Sequence, residues 1–140
     1  MKRLPILLLL LSGCAADTML FSLIDVSDTD TETWEKVEAG AREWEVLDMY
    51  MDPEGEPVYI RVEPSLDGPA GLAYPSDRKI FINSLFPIRM KGTVTHELGH
   101  VLLDLGHLPP KLGVMSTPHH SDVLTVYDLE FACEEAERCY

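Results

Sequence analysis

A chain of 140 residues is long enough for one compact domain and too short for two. Apolar residues make up 46% of it, so it can bury a sizeable core, and global disorder is excluded. The formal net charge of −13 excludes nucleic acid as a partner, because one polyanion repels another, and the acidic stretches at 25–45 and 122–137 read as solvated helix faces.

Met1-Lys2-Arg3 is a short basic opening, followed by an apolar run at 4–11. Roughly eight residues fall well short of the about 20 that a helix needs to span a bilayer. They suit the core of a signal peptide. Residues 1–13 therefore read as a leader, 14–20 as a tether beginning at Cys14, and 21–140 as the folded domain. The box Leu11-Ser12-Gly13-Cys14 resembles the bacterial lipobox, in which the leader is cut before the cysteine and that cysteine is lipidated. The alternative is an ordinary leader followed by a coincidental cysteine. The resemblance implies a lipid-anchored, extracytoplasmic protein of a bacterial cell envelope, and Ala15 rather than Asp after Cys14 points to the outer membrane. Setting Cys14 aside leaves Cys133 and Cys139, which can bridge in an oxidising compartment. Six positions apart they would lie on different faces of a continuous helix, so a bridge requires the helix to end between them. Unbridged, Cys133 would be a small buried hydrophobe and Cys139 a terminal thiol.

Residues 21–26 read as a strand, and Thr29 and Glu32 stand at capping-box spacing ahead of a helix. The stretch 31–47 carries Trp34, Val37, Ala41, Trp44 and Leu47 at three- and four-residue spacings, an amphipathic helix with its tryptophans toward the core. A loop at 52–57 precedes an alternating, half-buried strand at 58–62, and 64–69 is again loop. Segments 70–75 and 79–85 flank Ser76-Asp77-Arg78 as a hairpin, and Pro75, which cannot donate to a ladder, puts the first arm at a sheet edge. A second helix runs from 88 or 89 to 104, then a proline-bearing loop from 108 to 120. A last helix spans 122–137, with Leu124, Tyr127, Leu129 and Phe131 available to pack. The order predicts an α+β or α/β fold. Its mixed twisted sheet has an antiparallel edge strand and is backed by two helices, with a small C-terminal subdomain carrying the last helix.

The chemistry lies in His96-Glu97-Leu98-Gly99-His100. Helical positions i and i+4 differ by about 40° in azimuth and about 6 Å in rise, so His96 and His100 project from one face. Two imidazole nitrogens can then reach one Zn²⁺ at roughly 2.0–2.1 Å. Glu97, beside the first histidine but off the two-ligand line, can accept a proton from a water that the metal acidifies. His107 follows seven residues after His100, just past Gly106, where a positive φ could swing a loop ligand back toward the helix. Asp104, the pair His119 and His120, and the acids Asp122 and Glu130 are rival third ligands. The plain alternative is an exposed helix with two ordinary histidines.

These residues resemble the metzincin zinc-binding signature, nearest to its matrixin-like members: the motif just given, then Val101-Leu102 and Leu105-Gly106-His107. Met115, in Gly113-Val114-Met115-Ser116, stands where that family has a methionine turn beneath the metal. The resemblance implies zinc ligands His96, His100 and His107, a general base Glu97, Met115 as a structural floor, and an edge strand near 71–74 that pairs with an extended peptide. Met115 as an ordinary core residue is the other reading. One departure stands out: Leu103 occupies the family's glycine position, and one additional residue precedes His107. Asp104 is then the inserted residue or the altered turn position, with Gly106 expected to take the strained conformation.

The function implied is a zinc-dependent endopeptidase acting as a lipid-anchored monomer on peptide or protein substrates. The alternative is a catalytically inactive metzincin-like lipoprotein that serves as a binding scaffold. A weaker third reading is zinc binding in the periplasm. Glu97 favours the first, because metal binding alone does not require it.

Overall fold

The computed structural model describes residues 17–118 and 121–140. The leader with Cys14, and the rival ligands His119 and His120, lie outside the described residues. In chain order come β1 (Met19–Asp25), α1 (Thr31–Arg42), β2 (Met49–Met51), β3 (Glu56–Glu63), β4 (Gly71–Tyr74), β5 (Lys79–Asn83), α2 (Met90–Leu103) and α3 (Val126–Ala136). The five strands form one sheet in the order β2-β1-β3-β5-β4. Every neighbouring pair is parallel except β4 with β5, so the antiparallel strand sits at an edge. No described helix is long and apolar enough to cross a membrane.

Strand alternation decides which side of the sheet is covered. Phe21, Val58, Ile60, Ile80 and Ile82 point to one face and are buried with Val37, Ala41 and Trp44 of the α1 region and Val94 and Leu98 of α2. Residues in the other phase, Leu20, Ile24, Tyr59 and Tyr74, remain exposed. Both long helices therefore back the same face. Gly40 sets their separation, since a Cβ there would stand 2.6 Å from the Lys91 carbonyl and 2.8 Å from Val94 Cβ. Polar locks cross the same seam: Trp44 Nε1 donates to the Thr95 carbonyl at 3.1 Å, and the Thr95 hydroxyl lies 2.9 Å from the Gly40 carbonyl.

Several boundaries differ from the sequence expectation. The helix expected over 31–47 is α-helical only to Arg42 and tightens into a 3-10 helix over Glu43–Leu47. A 3-10 turn stacks residues three apart, which directs both Trp44 and Leu47 inward. The N-cap of α1 is Asp30, not Thr29: Asp30 accepts from the Thr33 amide at 2.8 Å, while Thr29 donates to the Asp25 carboxylate. Strand β2 was not foreseen, because three residues are too few for alternation to register; it forms against the otherwise open edge of β1. The last helix starts at Val126 behind a Thr125–Asp128 capping box, four residues later than expected, and Tyr127 points to solvent instead of packing. It ends at Ala136, where Glu137 turns left-handed at φ 54°, and Cys133 and Cys139 are joined by a disulfide across that end. The Arg138 guanidinium there donates to the Asp17 carbonyl, tying the C-terminal segment to the start of the described chain.

Candidate metal centre

Helix α2 is buried from Gly92 through Gly99, so its histidines sit on a rigid central element. His96 is buried, His100 half-buried and His107 exposed. Their ligand atoms lie within 4.8 Å of one another, and His100 Nε2 is 3.1 Å from both His96 Nε2 and His107 Nε2.

Hydrogen bonding at the far side of two rings fixes what those Nε2 atoms carry. His96 Nδ1 is 2.6 Å from the Val114 carbonyl and His100 Nδ1 is 2.5 Å from the Leu105 carbonyl. A carbonyl only accepts, so each Nδ1 holds the proton, and each neutral ring presents its Nε2 lone pair to the shared space. Burial, the largest influence on His100, lowers its pKa and favours that neutral form. Facing lone pairs 3.1 Å apart repel unless a cation stands among them. A metal ion held tetrahedrally at about 2.1 Å would separate its ligand atoms by about 3.4 Å, close to the spacing found. The three histidines could thus hold a metal ion.

His107 reaches the cluster by a different turn from the one expected. No described glycine has positive φ; the left-handed residue is Asp104, at φ 52°. Helix α2 includes Leu103, and the Leu105 amide then closes back on the Gly99 carbonyl at 3.2 Å. Aspartate tolerates this region better than most side chains, so it takes the role assigned to Gly106. A Cβ on Gly106 would meet nothing within 4 Å. The same turn aims the Leu105 carbonyl at His100. Asp104 lines the cleft but does not belong to the metal-ligand cluster, and neither Asp122 nor Glu130 does.

Beneath the histidines runs the turn 113–116. Met115 is fully buried, and Gly99 makes room for it: a Cβ there would be 2.6 Å from Met115 Sδ. Asp128 of α3, also fully buried, accepts from the amides of Val114 at 3.0 Å, Met115 at 2.9 Å and Thr125 at 2.8 Å. The chain of contacts is continuous: Asp128 holds the Val114 peptide unit, whose carbonyl orients His96. Sequence reading missed Asp128. The Thr125-x-x-Asp128 capping spacing could have flagged the side chain, though not the two distant amides it also serves.

Glu97 is buried, and its carboxyl group makes no hydrogen bond or ion pair with another described residue. Burial raises its pKa from 4.5 to about 7. It borders a cleft of about 450 Å³ together with the three histidines and Gly71, Leu72 and Ala73 of edge strand β4. Gly71 leaves it space, since a Cβ at that position would approach Glu97 Oε1 to 2.9 Å. The site therefore combines three convergent imidazole nitrogens, a carboxyl with no partner among the described residues, and an open cleft beneath a strand edge. No protein-family model matches the chain, and no curated protein matches it.

Proposed function

We propose that this protein is a zinc-dependent endopeptidase of metzincin type, lipid-anchored through Cys14. The observation that carries the reading is Glu97, a buried carboxyl with no partner among the described residues, lining one cleft with a three-histidine cluster. His96, His100 and His107 would hold the metal, and an all-imidazole donor set with no thiolate would suit zinc. Bound there, zinc would supply a Lewis acid and would lower the pKa of water toward neutrality.

The chain's own residues do the rest. Glu97 takes the proton from the attacking water and returns it to the departing amine, a cycle suited to a carboxyl with a pKa of about 7. The free side of β4 offers backbone donors and acceptors to an extended peptide, which this pairing lays across the cleft. Gly71 lets the peptide approach Glu97 closely. Val114 and Leu105 hold the two helix histidines in the tautomer that binds metal.

The test is Glu97→Gln. We expect unchanged zinc stoichiometry by elemental analysis and a loss of about a thousandfold in cleavage of an unfolded protein. Wild-type protein that binds zinc yet cleaves nothing in a diverse peptide library would overturn the reading.

A further inference from the structure

A second cavity, of about 250 Å³, adjoins the metal cleft and shares His96, Glu97, Gly71 and Thr117 with it. Pro69, Ala70, Phe86 and Pro118 give it apolar walls. Arg89 is the one lysine or arginine among its lining residues. The Arg89 backbone is fixed at the head of α2, where its carbonyl accepts from the Thr93 hydroxyl at 2.8 Å. Among the described residues its guanidinium forms no ion pair, those present engaging Arg42, Arg61, Arg78 and Lys91 instead. The first turn of α2 contributes no acid to offset it.

Arg89 is solvent-exposed, and an apolar side chain entering this cavity would offer its guanidinium no acceptor. A carboxylate on an apolar stem satisfies both the walls and the fork of donors. Position follows from β4. The cavity lies at its Gly71 end and the metal cleft extends toward Leu72, Ala73 and Pro75. A peptide added antiparallel to β4, the more stable ladder, brings the residue on the amine side of the cleaved bond over the cavity.

We propose that this cavity is a substrate subsite for a carboxylate, carried by the side chain or the free terminus of the residue on the amine side of the cleaved bond, and that Arg89 recognises it. The proposal rests on the peptidase reading, so its test uses binding as well as cleavage. Three hydroxamate probes anchor to the metal through their chelating group. Their next residue is Glu with an amidated terminus, Gln with an amidated terminus, or Gln with a free terminal carboxylate. Calorimetry on the zinc-loaded full chain should show one or both carboxylate probes binding about tenfold tighter than the neutral one. Which of them does so distinguishes side chain from terminus. The preference should vanish in Arg89→Gln, persist in Arg89→Lys, and shrink with added salt. Equal affinities, or a preference that survives Arg89→Gln at full zinc stoichiometry, would overturn the subsite. Carboxylate preference without cleavage of any peptide would uphold the subsite and remove the peptidase reading, and cleavage without such preference would do the reverse. If none of the probes binds, both fall.

Discussion

Glu97 and Asp104 carry opposite lessons about single residues. Glu97 was legible from spacing, but its unusual acidity depends on what surrounds it, and that has a thermodynamic consequence. In metal-free protein its folded pKa of about 7 exceeds the ordinary 4.5. A raised carboxyl pKa means the folded state holds the proton more tightly. Stability is then fully present below about pH 4.5 and is lost as pH rises to about 7, by about 3 kcal/mol. Urea unfolding of metal-free wild type and Glu97→Gln at pH 5 and pH 8 should show wild type losing roughly that much more than the variant; parallel profiles would refute it. Asp104 was read in the sequence as a rival third ligand, and as the inserted residue or the altered turn position. Its left-handed conformation is settled by where α2 stops, and α2 stops where the Leu105 amide can find the Gly99 carbonyl.

At the scale of elements, α2 supplies two of the three clustered histidines and α3 helps align one of them, His96. The link is Asp128, which engages the Val114 and Met115 amides while the Val114 carbonyl engages His96. Replacing it with asparagine puts a donor where amides now donate, leaving at least one of them unpaired in the interior. We expect Asp128→Asn to cost about 3 kcal/mol by denaturant titration. We also expect it to weaken zinc binding by about tenfold to a hundredfold, measured where both proteins remain folded. A stability loss with unaltered zinc affinity would mean that α3 braces the fold without orienting His96. The amphipathic period of α1 and the alternation of β3 were readable locally because each buries one face. The three-residue β2 and the 3-10 end of α1 were not, since both answer to neighbours distant in sequence: β1 and the core around Trp44.

For the molecule as a whole, the metal is expected to act as a clasp. His107 lies beyond the end of α2, on the segment that leads through Met115 to α3, so a bound cation joins that segment to the sheet-backed helix. A ligand at a thousand times its dissociation constant stabilises the folded state by about 4 kcal/mol. Chelation should therefore lower the melting temperature by about 10 °C or more, and His107→Ala should shrink that difference. Equal melting temperatures with and without chelator would show that no metal holds the loop.

The sequence by itself determined what is periodic or chemically specific: a helix with two histidines on one face, a carboxyl beside them, an edge hairpin marked by Pro75, and a core of alternating strands. These depend on neighbours within a few positions, where backbone geometry is fixed. Only the tertiary structure decided which residue turns the chain toward His107, that Asp128 commands the turn beneath the site, and that Arg89 faces a cavity beside Glu97. Those are meetings between segments far apart along the chain, set by packing and by buried amides that must find an acceptor, and no local pattern encodes them.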